Sequence, residues 1–289
     1  MRKNIFDILS ENFDITQEIK LIWQLFERDV SIFMNKDALF ETCTEYSILG
    51  CVKEYTFDNW KSRNRCISPS DMMVRLGIDE SMITRINKFS DELLMFLEFI
   101  VNMIMRCDIA IEQKRLTMSS DYQILKGNVI IFIEHFGYTM HYLDDVEQVV
   151  ILEKNPAVIS AAEISKPEIC KKIIQYNHYT LKGNIDAKKD IIIALANEIE
   201  PQRKELEKIN SSIESDLFFL LNNMNIRHNN IEPKNTNYKS FVAKMSGSIL
   251  EYWYDEVYQL ILLAKLLLDN VKRQNDIKAL KNKLDDAEQ

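Results

Sequence analysis

Residues 238–284 read YKSFVAKMSGSILEYWYDEVYQLILLAKLLLDNVKRQNDIKALKNKL. Apolar side chains at Tyr238, Phe241, Met245, Ile249, Tyr252, Trp253, Leu260, Leu267, Val271, Ile277, Leu280 and Leu284 recur close to the helical period along the whole stretch. The pattern predicts one very long helix starting near Tyr238. Past Val271 the stripe thins and Lys, Asp and Asn surround it, so the last turns are expected to be solvated or to pair with another chain.

Working back toward the N-terminus, turns are scarce. Of 289 residues only 6 are Gly and 5 Pro, against usual shares of roughly 7% and 5%. The expected fold is therefore mostly α, a multi-helix bundle with a long C-terminal helix. Asp14 is an N-cap candidate, with Ile15, Ile19, Ile22, Leu25, Phe26, Val30 and Phe33 at helical spacing behind it. A second helical stretch runs to about residue 55, and Ser68-Pro69 opens a short helix that Gly77 closes. From about Ser81 to Lys114 apolar residues cover several faces of one long core helix, which another helix follows, from about Asp121 to Phe136. After Lys166-Pro167 a helix is expected to end near Gly183-Asn184. Asp186 opens another that Pro201 interrupts, and Ser211 with Glu214 forms a capping box for a helix over 213–223.

One segment breaks the helical period. Tyr138–Leu143 and Val149–Glu153 are aromatic or β-branched runs around an acidic turn, which predicts a small β-hairpin insertion. The division read from sequence is an N-terminal helical domain over 1–136, the hairpin with its connecting helix over 137–165, and a C-terminal helical domain over 166–289.

Composition excludes several classes. A net charge of -8 argues against a broad basic surface that tracks nucleic-acid backbone, so any RNA contact is expected to be local. The five cysteines show no C-x-x-C pairing, and with four histidines they offer no zinc spacing. No metal and no cofactor is expected, and scattered thiols in odd number indicate a reducing cytoplasm. The longest apolar run, Leu93–Met105, is interrupted by Glu98 and Asn102, and no membrane partner is expected. The Met1-Arg-Lys start lacks the apolar core of a signal peptide.

Chemistry concentrates in Asn222-Asn223-Met224-Asn225-Ile226-Arg227-His228-Asn229-Asn230, where a permanent cation, a titratable imidazole and several amides crowd between two apolar helices. That suits phosphate chemistry. A helix ending in such a cluster, followed by the polar loop 231–237 and a long closing helix, resembles the HEPN superfamily, which includes abortive-infection proteins of bacterial phage defence. The resemblance covers roughly the last hundred residues. In catalytic members an Arg precedes a His by about four to six positions, and two such motifs meet across a dimer to cleave RNA without metal; here Arg227 and His228 are adjacent.

The resemblance implies a metal-independent endoribonuclease acting as a homodimer, with RNA as substrate and a protein antitoxin or defence-system component as partner. Arg227 and His228 are then the catalytic candidates, His228 moving protons and Arg227 stabilising phosphorane charge. Asn223, Asn229 and Asn230 are the substrate-binding candidates. A second function class fits the same residues: Arg, His and Asn at a helix C-terminus also complement the dipole and tolerate left-handed backbone. The chain is then a non-catalytic helical interaction module that binds a protein partner.

Overall fold

A computed structural model describes residues 14–28, 32–34, 45–86 and 91–287. By contact the chain divides into two units, Met1–Glu153 and Lys154–Gln289. The hairpin therefore belongs with the first unit and the helix after it with the second. The molecule is mostly α, with a long C-terminal helix and a small hairpin, as the sequence leads one to expect.

In the first unit the Asp14 carboxylate accepts from the Thr16 and Gln17 N–H groups at 2.9 and 3.4 Å and opens α1 (Ile15–Glu27). The helix stops short of Phe33, which lies instead in β1 (Ile32–Met34); Val30 falls outside the described residues. With β2 (Glu45–Tyr46) and β3 (Leu116–Met118), β1 forms a small antiparallel sheet in the order β2-β1-β3. Strands this short carry no readable period, which is why sequence reading misses the sheet. Between them α2 (Ile48–Tyr55) is capped by Ser47, and α3 (Pro69–Leu76) by Ser68. Gly77 ends α3 at φ +67°, the left-handed conformation that favours glycine.

The expected single helix from Ser81 to Lys114 is instead α4 (Glu80–Arg85) and α5 (Asp91–Lys114), because Ile86 adopts extended backbone at φ -54°, ψ 131°. Phe96, Ile100, Met103 and Cys107 of α5 are fully buried and share one core with Ile19, Trp23 and Phe26 of α1. Tyr122, Leu125 and Phe132 of α6 (Ser120–His135) complete it. Then β4 (Tyr138–Leu143) and β5 (Gln148–Glu153) pair from Tyr138↔Glu153 to Leu143↔Gln148, matching the predicted hairpin.

The second unit opens with α7 (Pro156–Glu163), capped by Asn155, and α8 (Pro167–Tyr176), each with proline in its first turn. The chain leaves α8 at Asn177, earlier than Gly183, and makes a 3-10 turn over Tyr179–Leu181. Asn184 caps α9 (Ile185–Ile199). Pro201 sits in a 3-10 turn, Glu200–Gln202, that separates it from α10 (Arg203–Ile209). The cap of α11 (Ser211–Asn223) is Asn210, whose Oδ1 accepts from the Ile213 N–H at 3.1 Å. The expected Ser211/Glu214 box is absent because Glu214 pairs with Arg203.

The closing helix begins later than Tyr238: α12 (Ser240–Ala243) is a single turn, and α13 (Gly247–Ala287) is the long helix. Its core-facing residues are Tyr254, Val257, Tyr258, Ile261, Leu262, Ala264 and Leu268. Most of the stripe read from sequence lies elsewhere, with Ile249, Tyr252, Ile277, Leu280 and Leu284 exposed. A polar tie built on the buried Lys188 fixes α13 to α9. The Lys188 ammonium sits 2.8 Å from Glu251 and 2.7 Å from Asp255, while Tyr176 of α8 donates to Asp255 at 2.9 Å and stacks on Tyr258.

Candidate functional site

The polar cluster at the end of α11 is a chain reversal, and nearly every polar group in it is committed to that reversal. Helical geometry ends at Asn223, and Asn225 takes the left-handed conformation at φ 58°, which Asn tolerates better than other non-glycine residues. The Arg227 N–H then turns back to the Leu221 carbonyl at 3.0 Å. Asn225 and Asn230 lock the reversal reciprocally. The Asn225 N–H donates to Asn230 Oδ1 at 2.7 Å, and the Asn230 N–H donates to Asn225 Oδ1 at 3.2 Å. Asn230 Nδ2 reaches the Asn237 carbonyl at 2.7 Å, and the Asn230 carbonyl accepts from the Lys239 N–H at 2.8 Å. Tyr254 of α13 donates to the Asn225 carbonyl at 3.3 Å. Asn230 is fully buried, and Met224 and Ile226 are buried as well.

The other candidates are placed as follows. Arg227 grips Glu200 with both terminal nitrogens, Nη1 to Oε1 at 3.1 Å and Nη2 to Oε2 at 2.7 Å. Its guanidinium lies 5.2 Å from the centre of the Phe218 ring. This bidentate fork is the geometry that would otherwise hold a phosphate. Asn223 donates to the Phe219 carbonyl one turn back at 2.8 Å. Asn229 accepts from the Ile231 and Glu232 N–H groups and donates to Glu232 Oε2 at 3.0 Å, an Asx turn. His228 is exposed and makes no hydrogen bond among the described residues. The structure thus brings Asn225, Asn230, Asn237 and Tyr254 together, and turns Arg227 toward Glu200.

A second polar cluster, in the first unit, went unrecognised in the sequence. Glu98, Asn102 and Arg106 recur every four residues on α5 and are all buried in its otherwise apolar surface. Each serves the outer edge of the hairpin. The Glu98 carboxylate accepts from the Ile151 N–H at 3.2 Å. Asn102 exchanges two bonds with Val149, donating to its carbonyl at 2.7 Å and accepting from its N–H at 2.9 Å. Arg106 donates to Glu147 at 2.8 Å and to the Thr56 carbonyl at 2.9 Å. One side of α5 therefore satisfies the free edge of a two-stranded sheet, where a third strand would otherwise be required.

Glu147 is held at φ 51° in the turn, with its carbonyl accepting from Trp60 Nε1 at 2.7 Å. Beside this pair lies a cavity of about 310 Å³ lined by Tyr55, Asn59, Gln113 and Tyr142. Among the described residues Arg106 Nε has no hydrogen-bond partner. The signal that would have found the cluster was available: a four-residue polar period inside the most apolar helix.

Among the described residues no group of three or more His, Cys, Asp or Glu side chains is arranged to hold a metal ion. Cys51, Cys66, Cys107 and Cys170 are free thiols. Among the described residues no helix is long and apolar enough to cross a membrane. Comparison with protein-family models, with curated proteins and with solved structures gives no match.

Proposed function

We propose that the chain is a helical interaction module, and that its working surface is the exposed face of α13. One observation carries this reading. Every large apolar residue exposed on α13, namely Ile249, Tyr252, Leu263, Ile277, Leu280 and Leu284, falls on a single three-then-four spacing, the a and d positions of a heptad. Of the core-facing residues, Tyr254, Val257, Tyr258, Ile261, Ala264 and Leu268 occupy the b, c and f positions of the same heptad, and Leu262 a g position. The helix therefore has two apolar faces back to back, one spent on its own unit and one unspent.

From Lys272 to Asp285 every side chain is exposed, so the last turns pack on nothing in their own unit. A helix held out of the core gains little from its own burial, and an ordered apolar seam on it is best accounted for by a partner helix. The polar cluster at 222–230 supports the same reading. Its amides are occupied in turning the chain so that α13 can return across α11, and its guanidinium in pairing with Glu200. The RNA-cleaving alternative keeps only the exposed His228 ring.

The test is the size of the assembly in cells. A tagged full-length chain in a cell extract is expected to elute above monomer mass, and Ile277→Glu/Leu280→Glu at monomer mass. Equal elution of the two would count against the reading.

A further inference from the structure

We infer that the occupant of the α13 seam is a second copy of this chain, in parallel and in register. The inference rests on the interaction-module reading and names the partner within it. The seam from Leu263 onward places Leu263, Asn270, Ile277 and Leu284 at a, and Leu266, Arg273, Leu280 and Ala287 at d. The two polar positions and the flanking charges select among possible partners.

A single Asn at an a position is tolerated where it meets another Asn, and it fixes register because any other alignment buries an unpaired amide. With two copies parallel and in register, Asn270 faces Asn270. An antiparallel pairing centred on the same seam sets Asn270 against Leu280 and Arg273 against Ile277 of the second copy, and brings Asp276 opposite Asp276. Arg273 is the one poor seam residue. Its guanidinium is drawn to Asp269, one turn back at the flanking g position, at 2.7 Å.

Charges beside the seam agree with this alignment. In a parallel pair each g residue faces the e residue five positions on in the other chain. That pairs Asp276 with Lys281, opposite in sign and made twice by symmetry. Asp269 faces the neutral Gln274. No like-charged pair arises over 269–281. Lys281 and Lys283 are exposed, and among the described residues neither makes an ion pair. A helix with an unrelated charge pattern would not match both symmetry-related Asp276–Lys281 contacts, which favours a second copy over a different protein.

Light scattering over a dilution series of the purified full-length chain tests this with charge swaps. Wild type is expected to be dimeric at micromolar concentration, and Ile277→Glu/Leu280→Glu monomeric with an unchanged thermal melt. Asp276→Lys and Lys281→Asp each place like charges at two g–e contacts, so each is expected to weaken the dimer about tenfold in Kd at low salt. An equimolar mixture of the two variants restores opposite charges at both contacts and is expected to recover wild-type affinity.

A wild-type monomer up to about 100 µM, or a mixture no tighter than its components, would overturn the parallel self-pairing. If wild type is monomeric but the tagged chain in extract still depends on Ile277 and Leu280 for its size, the seam binds another protein, and only the choice of a second copy fails. If neither assembly forms, both readings fail.

Discussion

At the scale of single residues, the same amino acids that invite a catalytic reading are used to end a helix. Asn230 satisfies the Asn225 N–H and the Asn237 carbonyl from a fully buried position. Replacing it with Ala leaves buried backbone groups unpaired, at about 1–3 kcal/mol for each. Asn230→Ala is therefore expected to lose roughly 2–4 kcal/mol of stability in urea unfolding. His228→Ala is expected to change stability by less than about 0.5 kcal/mol, and to leave labelled total RNA in EDTA as intact as wild type does. A cleavage product that depends on His228, or a silent Asn230→Ala, would reverse this assignment. The cluster's residue types were plain in the sequence, but their commitments were not. A reciprocal pair between Asn225 and Asn230 depends on one residue taking φ 58°, and composition does not report backbone handedness.

At the scale of elements, local signals were read well and tertiary ones poorly. Asp14, Ser68 and Gly77 mark helix ends through chemistry confined to one turn, and the hairpin shows its period over two six-residue strands. The polar residues of α5 were legible only as interruptions, because their purpose lies with Val149 and Ile151, far along the chain. The tie between α9 and α13 is of the same kind, and it makes a pH prediction. Burial alone would raise the Glu251 carboxyl, but the Lys188 ammonium and the Gly183 N–H, 2.7 Å away, outweigh it and hold the carboxyl below its usual range. A folded-state value below the unfolded one, about 4.3, gives stability that is full above that pH and lost as pH falls through the lower, folded value. Glu251→Gln is expected to be less stable at neutral pH and to show a flatter loss between about pH 5 and pH 3. Urea midpoints across that range check it, and parallel acid limbs for the two proteins would count against the tie.

At the scale of the whole molecule, the α13 stripe shows both what the sequence offers and where it stops. Apolar periodicity predicted a long helix correctly, yet the stripe it traced contains none of the core-facing residues Tyr254, Val257, Tyr258, Ile261, Leu262, Ala264 and Leu268. The a and d residues and the b, c and f residues are both apolar, and only the fold tells which of them are covered. Ile277, Leu280 and Leu284 remain 52 to 56% exposed. Covering such side chains is worth about 1.5–3 kcal/mol each when complete, a driving force that a free helix end leaves unused. The direct measurement is photo-crosslinking in cells, with a photoreactive amino acid placed in turn at Leu280, at Asn282 on the opposite side of the same helix, and at His228. A discrete adduct from Leu280, with none from Asn282 or His228, is the expected result; an adduct from His228 and none from Leu280 would contradict it.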